Sequence, residues 1–368
     1  MTDQAWMSAA PPPYQAPDGQ ALVVVSWGCV TPLGENALQS AFGFRAGASA
    51  LGPCALLDDA GNAPTFASIA TLDPYLEGDA RLRPMIAQSI LETVGPVAHL
   101  INGRALASYF LADEDQPMSP GNSSAEELGL WARDQLRAVT GYPTRTAIHA
   151  TGAAGLAGVL DSISKEFQKG TAELAVIVSG HSDYDRTWVH NLAQQRRLHS
   201  PDQLDGMILS EMAASLLVCT QSVARSLGLA PAVWMDAWHT ATEKALWSND
   251  ESAYEALALT FAARHATEAH SKAGRKVGWL TTDASLESFK IAELQSLLAR
   301  LQTRLAEPQQ LDTPGHRIGN LGASAGLWQA IYAAEAFKRK FAPSDEVLCL
   351  LGSDHGGRCA LMLRRATV

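Results

Sequence analysis

The sequence predicts an α/β fold with a largely parallel sheet, and three observations carry that prediction. Strand-like runs alternate with longer helical stretches along most of the chain. The first of these runs is β-branched and apolar throughout, as a strand covered on both faces is. Glycine and other turn residues close the runs. The runs form two groups split near residues 227–231, although no residue-level repeat relates them.

Taken in order, residues 1–20 are rich in Pro, Ala and polar groups with no periodic face, which predicts a flexible N-terminal tail. Residues 21–26 read as a buried strand that ends at Gly28, and Thr31-Pro32-Leu33-Gly34 turns the chain into a helix over 36–45. Further strands are expected at 146–150, 174–179 and 213–219, then at 232–236, 277–281 and 347–351. Helices are expected at 151–169, 251–272, 289–306 and 323–341. Residues 112–124 and 181–205 read as polar loops. The second follows a buried strand directly, where α/β folds place function. A group of tryptophans, Trp234, Trp238 and Trp247, suits either the core or an interface.

Composition excludes several function classes. The 368 residues are 47% hydrophobic and 18% charged, which is globular and long enough for one large domain or two. The net charge of −10, from 38 acidic and 28 basic side chains, disfavours nucleic acid and anionic membrane as partners. No apolar run reaches the roughly 18 residues that span a bilayer, and the start shows no charged-then-apolar leader, so the expected location is cytoplasmic. The five cysteines, Cys29, Cys54, Cys219, Cys349 and Cys359, are scattered and odd in number, which reads as buried reduced thiols. No clustered ligands suggest a metal, and no motif calls for a cofactor. His181, Asp183, Asp185 and His190 are too loosely spaced for a metal site and read as a solvated loop. Ser179, His181 and Asp183 stand too close together for a catalytic triad. The glycine-rich stretch 315–326 lacks the phosphate-loop form and reads as a closely packed helix start.

Five segments resemble the β-ketoacyl synthases in order along the chain. Residues 23–34 resemble the first strand V-V-V-T-G-x-G-x-V-T-P-L-G, and residues 45–49 the R/L-x-G-x-S turn that follows it. Residues 205–218 are similar to D-G-F-x-x-G/S-E-G-A-A-x-L-V-L, residues 319–326 to G-H-x-x-G-A-A-G, and residues 352–360 to the closing F-G-F-G-G-x-N-A turn. The resemblance implies the thiolase fold: two similar βαβαβαββ halves, 21–228 and 229–368, stacked as a five-layer α/β/α/β/α sandwich and usually dimeric.

The family condenses acyl groups with a thiolate at a helix N-terminus and two histidines. Residues 147–155 resemble the family's T-A-C-A-T-G-A elbow and put His149 where the cysteine stands; imidazole cannot form the thioester. The stretch that matches N-A-H-G-T-S-T holds Asp283 and no histidine; Asp283 and Glu287 read as a carboxylate pair or as a loop acid and a helix-start acid. For the second histidine, one register supplies Asn320 and the other His316. A catalytic set is therefore not expected, and His149, Asp283 and Asn320, or His316, mark vestigial positions. The resemblance then implies a protein-binding role in a homo- or heterodimer. One form is an adaptor or chaperone like the degenerate ketosynthases of type VI secretion effector clusters. The other is a chain-length-factor-like subunit beside an active ketosynthase.

Overall fold

A computed structural model describes residues 21–58, 60–114, 118–141, 145–246 and 254–366. The expected tail, Trp247 and residues 251–253 of an expected helix lie outside the described residues.

Strand β1 (Leu22–Val30) is apolar on both sides. Val23 and Val25 face one core, and Leu22, Val24 and Cys29 face another. Helix α1 (Ala37–Arg45) starts at Asn36, whose side chain accepts from the Gln39 N–H at 2.9 Å. A short hairpin, β2 (Leu51–Pro53) and β3 (Thr65–Ala67), leads to α2 (Asp79–Val94) and α3 (Ala98–Ile101). Next come β4 (Leu106–Ala112) and α4 (Ala125–Thr140), which opens with a reciprocal capping box between Ser124 and Glu127. Strand β5 (Arg145–Ala150) runs into α5 (Leu156–Lys169), which Gly170 ends in the left-handed conformation. Strand β6 (Leu174–Ser182), α6 (Arg186–Gln194), β7 (Leu209–Thr220) and α7 (Gln221–Leu227) complete the first set. The second set is β8 (Val233–Thr242), α8 (Ala258–Ala266), α9 (Glu268–Lys272), β9 (Val277–Thr282), α10 (Ser288–Leu301) and β10 (Leu305–Asp312). It ends with α11 (Gly315–Ile318), α12 (Ala325–Lys338), β11 (Glu346–Gly352) and β12 (Gly357–Arg365).

The main strands form one sheet in the order β10-β9-β11-β12-β8-β1-β7-β6-β4-β5. Counted outward from the centre, both sides place their own first, fifth, fourth, second and third strands in that order. The sheet is mixed. Within each side the second, third and fourth strands are parallel, and the fifth is antiparallel to its neighbours. The sides join where β1 pairs antiparallel with β8, Val23 opposite Trp234.

Helices α5 and α12 occupy the middle layer, and the core around them takes residues from strands on both sides. Every residue of α12 from Ala325 to Phe337 is buried. The helix presents no face to solvent, and its carboxylate is paired inside: Glu335 accepts from Trp27 Nε1 at 2.9 Å. Helices α2 and α4 cover the outer face of the first set, and α8 and α10 that of the second, which completes five layers.

The structure changes several expected elements. His181 and Ser182 belong to β6, and α6 follows, so 181–205 is not one loop. Asp185 caps α6 by accepting from the Trp188 N–H, and Trp188, Val189 and Leu192 are buried beneath it. The expected helix 289–306 stops at Leu301, and β10 begins at Leu305. Expected strands also begin or end elsewhere: β7 starts at Leu209, not at residue 213.

Candidate functional site

The strands' carboxyl ends open on a crevice of about 270 Å³ between the two sides. Asp113 and Glu114 after β4, and Gly152 and Ala153 after β5, line it from the first side. Asp283 after β9 and Asn320 before α12 line it from the second. Arg197 and Lys290 stand in the same wall.

The turn from β5 toward α5 is made by Gly152, with φ 62° and ψ −163°. A Cβ there would lie 2.7 Å from Ser353 Oγ, so the position is closed to any side chain as the backbone stands. Ser353 Oγ fixes the turn: it accepts from the Ala154 N–H at 3.0 Å and donates to the Thr151 carbonyl at 2.9 Å. The positive-φ turn thus falls at Gly152, three residues beyond His149. His149 sits half-buried within β5, its ring centroid 6.2 Å from that of Tyr109, and is not among the lining residues. Burial pushes its pKa down, so the imidazole is held neutral.

Asp283 does reach the crevice. Its carboxylate accepts from the Gly352 N–H at 2.7 Å, and burial raises its pKa against the opposing pull of Lys290. Glu287 is not its partner. That buried carboxylate meets Arg197 at 2.8 Å, and Arg197 also holds Asp354 at 2.7 Å. Lys290 lies 3.6 Å from Glu287. Each lining cation is thus committed to a carboxylate.

Of the two registers, only Asn320 comes to the crevice. Gly319, at φ 69°, packs so closely that a Cβ would meet the Leu209 carbonyl at 2.6 Å, and this fixes where the next residue points. His316 lies on α11, exposed, with Nδ1 3.2 Å from Thr313 Oγ1.

The structure places His181, which reads from sequence as a solvated loop residue, fully inside the protein at 1% exposure. Its Nδ1 is 2.7 Å from Asp113 Oδ2 and its Nε2 is 3.0 Å from Asp183 Oδ2. Burial alone would lower its pKa, but the charges of Asp183 and Asp113 outweigh it and hold the group well above its ordinary value. The imidazolium donates to both carboxylates. Asp183 also accepts from the Ser210 N–H and from Trp188 Nε1, and Asp113 accepts from the Ala323 N–H at 2.6 Å. The cluster staples β6 to the start of α12. Only the short His181-x-Asp183 spacing was visible in sequence; Asp113 and Ala323 are far away along the chain.

No cysteine lines the crevice, and all five are buried elsewhere. Ser353 is spent on the elbow, and His181 has both nitrogens engaged, so neither forms a nucleophile–base pair. Among the described residues no three His, Cys, Asp or Glu side chains are grouped to hold a metal ion, and no helix is long and apolar enough to cross a membrane.

No protein-family model and no curated protein sequence matches the chain. Solved structures do. A ketosynthase from module 6 of the bacillaene synthase of Bacillus subtilis 168 superposes with a TM-score of 0.76 at 12% identity, over 95% of this chain and 72% of that one. The ishigamide ketosynthase/chain length factor gives 0.70 at 17% identity, over 94% of this chain and 100% of that one. A ketosynthase in complex with its chain length factor from Xenorhabdus doucetiae gives 0.69 at 12% identity, over 96% and 100%. With its layers, its strand order and this likeness together, the chain has the thiolase-type α/β fold of the ketosynthases.

Proposed function

We propose that this chain is a ketosynthase-fold subunit that does not condense acyl groups and works paired with another protein, as a chain length factor pairs with a ketosynthase. The observation that carries the reading is Gly152: the strand-to-helix elbow presents no side chain, and no thiol stands elsewhere in the crevice wall. The charged groups in the crevice wall are already paired, Arg197 with Glu287 and Asp354, and Lys290 beside Glu287, while Trp188, Met207 and Leu246 supply its apolar part. Two of the similar structures are ketosynthase and chain length factor together. Strand β5 also ends the sheet, with its outer edge available to another chain. The alternative role, loading a secretion effector, draws no support from these structures.

The test is co-expression with an intact ketosynthase, followed by size exclusion and native mass spectrometry. A stoichiometric heterocomplex is expected, with product length altered when this subunit is withheld. Incubation with acyl-CoA should leave the intact mass unchanged. A covalent acyl adduct on this chain, or a ketosynthase whose assembly and products ignore it, would refute the reading.

A further inference from the structure

Lys290, in the crevice wall, has its charge balanced but its hydrogen bonds unspent. Burial pulls its pKa down, and the charges of Glu287, Asp354 and Asp283 outweigh that pull, so the group stays an ammonium with N–H donors to give. Glu287, at 3.6 Å, stands beyond hydrogen-bond reach, and among the described residues no other group accepts from Nζ. Asp283 stands in the same wall. The Gly352 N–H takes one of its oxygens at 2.7 Å, and among the described residues no side chain donates to the other.

The first side brings a second pair of this kind. Asn191 and Gln195, one turn apart at the end of α6, also line the crevice. The Gln195 amide donates to Asn191 Oδ1 at 2.9 Å, which leaves the Asn191 amide as donor and Gln195 Oε1 as acceptor. Each side of the crevice therefore offers a donor beside an acceptor. Trp188, Met207 and Leu246 give the same wall an apolar surface. The volume, about 270 Å³, lies just under the roughly 300–1,000 Å³ of ordinary ligand pockets, which suits a small occupant.

We propose that the crevice binds a neutral polyhydroxylated ring of monosaccharide size. A hydroxyl donates and accepts at once, so neighbouring ring hydroxyls can bridge Lys290 to Asp283 and Asn191 to Gln195. The C–H face of the ring then lies on the apolar part of the wall. Charge disfavours other small ligands: a free carboxylate would meet Asp283, and a free ammonium would meet Lys290. A saturated chain would strip water from these polar groups and give nothing back. The site lies within this chain alone and does not depend on the pairing proposed above.

The test titrates the full chain, alone, with D-glucose, D-galactose, D-mannose and D-ribose, read by saturation-transfer NMR and calorimetry. At least one of these sugars should bind saturably. Gln195→Ala removes an exposed side chain and should weaken that binding about tenfold, as loss of one hydrogen bond does. Lys290→Met should weaken it at least as much; if that variant does not fold, Gln195→Ala decides. Arg225→Ala, exposed on α7, should leave it unchanged. No saturable binding of any of these sugars, or binding that Gln195→Ala leaves intact, would overturn the proposal. So would saturable binding of acetate or acetamide in place of the sugars, which would assign the wall to a carboxylate or an amide. Heterocomplex formation and acyl-adduct mass are read separately, so either reading can fail without the other.

Discussion

At His181 a single imidazolium lies between two carboxylates, the buried Asp183 and the half-buried Asp113, so its removal is costly in a definite direction. His181→Phe leaves both acids without their cation and should cost about 3–5 kcal/mol in chemical denaturation, the range for breaking a buried pair. The pH dependence follows from the raised pKa. In the unfolded chain the group titrates near about 6.5. Below that value both states are protonated and the full stabilisation is present; as pH rises toward the folded value, the unfolded chain releases its proton first and the contribution is lost. The variant should lose this alkaline slope. His239 has the opposite sign: burial, then the charge of His265, pushes it down to about 4. Its contribution is present above about 6.5 and disappears as pH falls toward the folded value. Gly152→Ala adds a Cβ at positive φ, 2.7 Å from Ser353 Oγ, and should cost about 1–3 kcal/mol. Motif order led to Asp283 and Asn320, which stand in the crevice, and to His149, which stays within β5 because a pattern match does not count where a strand stops. His181 was misread because its polar neighbours suggest water, while its partners lie far along the chain.

Elements with a strong local signal were legible, and those held by distant partners were not. Strands β1 and β6 announce themselves through β-branched runs. Strand β10, with Glu307, Pro308, Gln309 and Gln310, is polar because it closes the sheet's edge. Strand β12 was not expected: residues 352–360 read from sequence as resembling a closing turn. Its Cys359, Leu361 and Leu363 enter the central core, while Ala360 and Met362 enter the outer one. The start of α10 shows the same dependence on a distant partner. Glu287 occupies the cap position without capping, and its carboxylate goes to Arg197. The cap comes from the other side of the molecule: Asp205 accepts from the Ser288 N–H at 2.8 Å and from Ser288 Oγ at 2.6 Å. Asp205→Ala should therefore cost about 1 kcal/mol, as loss of a local cap does. Ser288→Ala in the same background should add little, since the two report one interaction. Full additivity in the double variant would show that the Ser288 hydroxyl takes no part in the cap.

Of the contacts that cross the seam between the sides, hydrogen bonds such as Ser353 with Ala154 among them, two kinds decide whether the sides can separate. One is apolar: the central core takes Leu156 and Leu160 from α5, Leu327 and Ile331 from α12, and strand residues from both sides. The other is ionic: Arg197, before β7, holds Glu287 and Asp354 of the second side at 2.8 and 2.7 Å. Arg197→Met takes the guanidinium from both carboxylates and leaves only Lys290, 3.6 Å from Glu287, which should cost about 3–5 kcal/mol. Arg358→Met removes a similarly buried partner from Glu293, but within the second side alone. If charge held the sides together, only the Arg197 variant would unfold in two steps. The apolar seam predicts otherwise, because no helix of the middle layer can leave one side without exposing the other. Both variants should unfold in a single transition with coincident fluorescence and circular dichroism, at lowered midpoints and unchanged denaturant slope. A second transition in Arg197→Met alone would mean that the seam is ionic and that the sides are separable domains.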